Sequence, residues 1–105
     1  AWHDIIPVAE PQDGGVTAAV DVVGPVCESG DFFAKDRALP PLKQGDLVAV
    51  MTAGAYGAVQ AGTYNSRPLI PEILVKADKF AVVRPRQSYE DLIGRDQLAG
   101  WQQQA

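Results

Sequence analysis

The sequence is poor in the residues from which disulfide frameworks and metal centres are built. One cysteine, one histidine and one methionine occur among 105 residues. A single thiol makes no internal disulfide, which fits a reducing compartment, and a cytoplasmic location is expected. A lone Cys27 and a lone His3 do not supply the ligand set of a structural zinc site, so no metal is expected. No apolar run approaches the roughly 20 residues that span a bilayer, so no transmembrane helix is expected. The first residues lack a basic segment followed by an apolar stretch, and no signal peptide is visible in them. Positive charge is also scarce, with 9 basic against 13 acidic residues and a net charge of −4. The bases are scattered, which argues against a nucleic-acid surface, since phosphate neutralisation needs clustered Lys and Arg.

What is present reads as a folded β protein. The chain is 47% hydrophobic and 21% charged, ordinary for a globular domain long enough to bury a core. It opens on Ala1-Trp2-His3 without a methionine, and we expect it to be a piece of a longer protein. Ile5 to Val8 reads as a strand, followed by a Pro-Gln-Asp-Gly-Gly turn cluster at 11–15. Thr17 to Val23 is rich in β-branched and small apolar residues and is closed by Gly24-Pro25, so it reads as a second strand. Residues 26–31 read as a short extended piece ending in Ser-Gly-Asp, and Phe32 to Lys43, with Pro40-Pro41, as mostly loop. Leu47 to Met51 is a nearly continuous apolar run, as in a buried strand.

The segment from Thr52 to Gly62 is rich in small residues and has room for one short helix. Tyr64 to Pro68 is turn chemistry. Glu72 to Val75 and Lys79 to Val83 read as a hairpin about Ala77-Asp78. Ser88 with Asp91 three residues on is a capping-box signal that opens one or two short helical turns before 101, and Gln102 to Ala105 reads as a frayed tail. The expected fold class is all-β, a Greek-key-like β-barrel or sandwich with one or two short helices.

Few residues are placed to do chemistry. Cys27 and Glu28 lie beside a Ser-Gly-Asp turn, an arrangement open to acid/base or nucleophilic work. A neighbouring carboxylate favours the neutral thiol, which suits a proton donor better than a thiolate nucleophile. Chemistry alone still favours Cys27 as a small buried hydrophobe, the common state of a free cysteine. Tyr56, between Ala55 and Gly57, has little to pack against. Its phenol suits donation to a phosphate or carboxylate, and a core tyrosine with a satisfied hydroxyl is an equal alternative. His3 reads as a packing or surface residue, and Asp31 as a turn former. Arg67, before Pro68, reads as solvated in preference to anion-binding.

The order of these motifs resembles a known family. Cys27-Glu28-Ser29-Gly30-Asp31-Phe32 matches the CESGD signature of diaminopimelate decarboxylases. An apolar strand to Met51, then Gly54-Ala55-Tyr56-Gly57, Tyr64-Asn65-Ser66-Arg67-Pro68 and Glu72-Ile73-Leu74-Val75 follow in the family's order. The similarity runs from about Thr17 to the C-terminus. Ornithine and arginine decarboxylases share the architecture, but ornithine enzymes carry a different acidic tract after the cysteine.

The resemblance implies that residues 1–105 are the C-terminal β domain of a pyridoxal-phosphate-dependent decarboxylase whose N-terminal (β/α)8 barrel is not part of this sequence. It implies Cys27 as the catalytic proton donor, acting across a homodimer interface in the partner's site. Glu28 would bind the distal amino end of the amino-acid substrate, and Tyr56 would contact both substrate and cofactor phosphate. The lysine that holds the cofactor, the glycine-rich phosphate loop and the barrel arginines are not among these residues, so the isolated chain is expected to be inactive. The family's β domain also takes in chain from the protein's own N-terminus. A strand edge left open in its absence would favour pairing with a second copy. Two other readings stand beside this one: a decarboxylase of another basic amino acid, and a non-catalytic dimerisation or binding module of the same fold.

Overall fold

The computed structural model describes residues 2–10 and 15–103. Most of the turn cluster expected at 11–15, and the last two residues of the expected tail, lie outside the described residues. The chain divides into two compact units, Ala1–Val59 and Gln60–Ala105.

The first unit carries four strands: β1 (Ile5–Pro7), β2 (Ala18–Val23), β3 (Phe32–Leu39) and β4 (Val48–Val50). The chain then forms a short helix, α1 (Gly54–Gln60), where the small-residue segment allowed one. Strand β1 pairs antiparallel with β4, Ile5 opposite Val50 and Pro7 opposite Val48. The ladder is extended at one end by Val8 N–H to the Leu47 carbonyl (2.9 Å) and at the other by Met51 N–H to the Asp4 carbonyl (2.8 Å). Strands β2 and β3 form an antiparallel hairpin nested between them in chain order. A Greek key of spatial order 4-1-2-3 needs these two pairings and a third between β1 and β2. Among the described residues the third is absent and no sheet closes into a barrel. The regular structure of the described residues is therefore mostly strand, in two-stranded antiparallel sheets, with two short helices.

Strand β3 corrects the expectation of a loop over 32–43. Its pairing with β2 shifts register between Val20 and Val22 and again between Val22 and Val23. Such bulges bend a strand and break its period-2 alternation, so Phe32 to Leu39 does not look like a strand to a pattern search. Asp36 takes φ 49° in this stretch, and its N–H is satisfied by Asp21 Oδ1 at 2.9 Å. Residues 26–31 are likewise corrected: they form the bends and turn joining β2 to β3, not an extended piece.

Ile5, Ala34 and Leu39 are the buried core of the described residues, with Val22 and Val50 packed against them. The strand expected to be buried at Leu47 to Met51 is not: Leu47 is 69% exposed and Met51 42%. At the start of the unit, the Arg37 guanidinium lies 3.6 Å from the centroid of the Trp2 ring and donates to the His3 carbonyl at 2.7 Å. His3 Nδ1 is 3.0 Å from the Met51 carbonyl oxygen. A carbonyl only accepts, so the proton sits on Nδ1 and the imidazole ties β1 to the end of β4.

The second unit begins with a 3-10 turn at Tyr64–Ser66, where Asn65 and Ser66 both take φ 58°. A hairpin of β5 (Glu72–Lys76) and β6 (Lys79–Arg84) follows, turning through Ala77-Asp78 as its sequence indicates. Leu69 N–H donates to Gln87 Oε1 (2.9 Å) and Gln87 N–H to the Leu69 carbonyl (3.1 Å), tying the segment before the hairpin to the segment after it. Register puts Ile73, Val75, Phe80 and Val82 on one face of the hairpin, and all four are exposed. No helix among the described residues is long and apolar enough to cross a membrane.

Helix α2 (Tyr89–Ile93) starts at the expected capping box. Asp91 N–H donates to Ser88 Oγ and Ser88 N–H to Asp91 Oδ2, both at 3.0 Å. The Ser88 backbone N–H, and after it the Ser88 side chain, hold the Asp91 carboxyl below its ordinary value. A depressed carboxylate contributes fully above the ordinary aspartate range and is lost as pH falls through the lowered folded value. Independently of that titration, Ser88→Ala removes the N-cap acceptor of the Asp91 N–H and should fray α2 at a cost of about 1 kcal/mol. In the unsubstituted chain the Ser88 amide, bonded to the Asp91 carboxylate, should lose protection only on strong acidification, which its exchange rate divided by the intrinsic rate at each pH would measure.

Candidate functional site

Cys27 lies in the connection between β2 and β3, a loop held by hydrogen bonds more than by packing. Pairing of the two strands brings Gly24 opposite Asp31, and Gly24 N–H donates to the Asp31 carbonyl at 2.9 Å. The Asp31 side chain turns inward and its Oδ2 accepts from Val26 N–H at 2.8 Å. Inside that ring, Glu28 N–H donates to the Val26 carbonyl (2.9 Å) and Asp31 N–H to the Glu28 carbonyl (3.1 Å), and at its end Phe32 N–H, the first of β3, donates to the Gly30 carbonyl (2.9 Å).

Two glycines leave room for the carboxylates of the turn. A Cβ on Gly24 would overlap the Asp31 carboxylate. A Cβ on Gly30 would stand 2.7 Å from Glu28 Oε2. Glu28 folds back over its own turn, with Oε2 accepting from Gly30 N–H at 2.6 Å and Oε1 3.5 Å from the Ser29 hydroxyl that donates to it. Each carboxylate lies against a main chain that only glycine leaves open.

Cys27 forms no disulfide and is exposed, which overturns the reading of it as a buried hydrophobe. Glu28 is exposed beside it. The structure therefore presents a thiol and a carboxylate on consecutive residues of one hydrogen-bonded turn. Asp31 is the turn former its position indicates, and its carboxylate is spent on main chain. The closeness of that carboxylate to Gly24 is not legible in the sequence, where the Gly24-Pro25 break with an aspartate at the far end of the loop is its only trace.

Tyr56 is placed separately, as the third residue of α1, and is 74% exposed. Among the described residues no hydrogen bond joins it to Glu28. The structure thus brings Cys27 and Glu28 together and leaves Tyr56 as a second, independent group on the same unit. Two open grooves, one between β1 and the end of β3 and one around Pro40 to Leu47, are lined by none of Cys27, Glu28 and Tyr56. Among the described residues no group of His, Cys, Asp and Glu is arranged to hold a metal ion.

Comparison with known proteins adds the following. The family model described as pyridoxal-dependent decarboxylase, C-terminal sheet domain, matches residues 1–54. The diaminopimelate decarboxylase of Zymomonas mobilis is 48% identical over 101 residues, covering 96% of this chain and 23% of that protein. Among solved structures, diaminopimelate decarboxylase from M. jannaschii superposes with a TM-score of 0.85 at 33% identity, over 96% of this chain and 23% of that one. Diaminopimelate decarboxylase from Helicobacter pylori, complexed with L-lysine, gives a TM-score of 0.79 at 44% identity, over 90% of this chain and 23% of that one. The chain spans about a quarter of the length of the relatives it matches.

Proposed function

The chain belongs to the family of C-terminal sheet domains of pyridoxal-dependent decarboxylases, and from that premise we propose that it is the C-terminal domain of a diaminopimelate decarboxylase. Residues 1–105 are then the β domain that completes a site whose cofactor is held mainly by a separate barrel domain. The protein is cytoplasmic and acts as a homodimer, each β domain lending its Cys27 turn to the partner's site. In that setting the strand pairs of the first unit belong to a Greek-key-like barrel or sandwich. Two of a Greek key's pairings support this.

The observation that carries the proposal is the Cys27-Glu28 turn. It offers a proton donor and an anion side by side on a hydrogen-bonded scaffold, within a chain 48% identical to a diaminopimelate decarboxylase. The substrate has an amino acid group at each end and loses CO2 from one of them, giving lysine. Cys27 holds at Sγ the proton that replaces the departing CO2 on the substrate carbon. Glu28 receives the distal ammonium, the group that separates this substrate from amino acids with an uncharged end. It keeps its Gly30 N–H contact through Oε2 while Oε1 turns to the substrate.

Of the groups that pyridoxal phosphate needs, the described residues supply one that fits. The exposed Tyr56 hydroxyl suits a hydrogen bond to the phosphate and to substrate. Neither groove contains Tyr56, so this chain contributes to the edge of the cofactor site and not to its cradle. When bound, the cofactor supplies the electron sink for loss of CO2, and the protein's part is orientation and a placed acid.

The full-length protein, loaded with pyridoxal phosphate, should release CO2 from meso-diaminopimelate with equimolar lysine, while the isolated chain with the same cofactor should release none. Turnover of ornithine or arginine in preference to diaminopimelate would replace the substrate assignment. No decarboxylation of any of the three would sink the enzyme reading.

A further inference from the structure

We propose that Asp31 is a positioning residue for the Cys27 thiol, acting through the Val26 amide and dependent on the missing side chain at Gly24. The proposal rests on the reading of Cys27 as a site residue and adds the device that aims it.

Cys27 itself is exposed, as are Glu28, Ser29 and Gly30, so packing does little to set the direction of the thiol. Both of its neighbours are held by main-chain and carboxylate contacts. Val26 is bound at both polar groups, its N–H by Asp31 Oδ2 at 2.8 Å and its carbonyl by Glu28 N–H at 2.9 Å. Glu28 is bound at its carbonyl as well, by Asp31 N–H at 3.1 Å. The peptide planes on either side of Cys27 are thus fixed, and with them the direction of its Cα–Cβ bond.

These bonds run between residues 26 and 31, and two others reach outside that span, one of them Phe32 N–H to the Gly30 carbonyl. The Gly24 N–H to the Asp31 carbonyl at 2.9 Å joins the turn to the β2–β3 ladder. Asp31 therefore meets the loop three times: through its carboxylate, its N–H and its carbonyl. The carboxylate contact is partly buried, where a hydrogen bond is less contested by water. The space it occupies exists only because residue 24 has no Cβ. Removing the carboxylate leaves Val26 N–H without its acceptor and frees the 25–27 segment to rotate. A displacement of about 1 Å in a reacting group costs on the order of 100-fold in rate.

The test uses the full-length, cofactor-loaded enzyme. Asp31→Ala should lower kcat about 10- to 100-fold with little change in KM and an unaltered cofactor absorbance. Asp31→Asn, which keeps an acceptor oxygen in the same place, should stay within a few-fold of wild type. Placed on a Cys27→Ala background, Asp31→Ala should cause no further loss of kcat, because the residue it aims is already gone.

Gly24→Ala leaves Asp31 in the sequence but fills its carboxylate's place, and should reproduce the loss. It also decides the matter if Asp31→Ala does not fold. Wild-type kcat in Asp31→Ala, or in a folded Gly24→Ala, would overturn the proposal while a crippled Cys27→Ala left the site assignment standing. An equal loss from Asp31→Ala with and without Cys27 would overturn it too, by showing a purely structural role. Full turnover by Cys27→Ala would instead remove the site assignment and this proposal together.

Discussion

Replacing Cys27 with alanine in the full-length enzyme should lower kcat by about 100- to 10,000-fold, the range supplied by a placed general acid, and leave cofactor absorbance and thermal stability near wild type. The separation of the two effects follows from the fold. Cys27 is exposed in the β2–β3 connection, and main chain and Asp31 supply contacts that hold that connection. Truncating an exposed side chain away from such features usually moves stability by no more than about 0.5 kcal/mol. Cys27→Ser sharpens the result. It keeps the volume and a donor proton but offers a much weaker acid, so it should recover little of the lost rate. Full recovery with serine would mean that Cys27 serves as a hydrogen-bond donor and not as the proton source. Unchanged turnover in the alanine variant would remove it from the mechanism.

Glu28→Gln should lower kcat/KM for diaminopimelate by about 10- to 150-fold, which corresponds to the roughly 1.5–3 kcal/mol of a hydrogen bond to a charged group. The amide oxygen can still accept from Gly30 N–H, the bond now 2.6 Å long, so the turn and the direction of Cys27 are kept and the loss reports the charge alone. An analogue of the substrate that lacks the distal amino group gives the control. It should be a poor substrate for both proteins and should show no comparable drop on substitution. Steady-state kinetics on the two substrates makes the comparison, and equal losses on both would reassign Glu28 to a role that does not read the distal end.

These predictions rest on features that differ in how visible they are in the amino-acid order. The β5–β6 hairpin, α1 and the cap of α2 are all legible, because each is decided within a few residues. Two short residues turn the hairpin at Ala77-Asp78, and Ser88 reaches its partner Asp91 within one helical turn. Strand β3 is not legible, because its register shifts against β2 disrupt the alternation that marks a half-buried strand. The apolar run at Leu47 to Met51 has the composition of a buried strand and is largely exposed. Composition gives a segment's readiness to be covered, while the cover itself comes from elsewhere in the fold.

The candidate site divides along the same line. The residue order alone determined the CESGD run, the ordered motifs after it and therefore the family to which this chain belongs. Chemistry read from that order still favoured a buried, inert Cys27, since nothing local tells a cysteine whether it will be covered. Only the tertiary structure decided that the thiol is exposed and that Asp31 grips Val26 across a gap Gly24 leaves open. The physical reason is distance along the chain. Turns and caps are set by neighbours, but the position of Gly24 beside Asp31 exists only once β2 and β3 have paired. The same holds for β1 against β4, which joins Ile5 to Val50 and which no local propensity encodes.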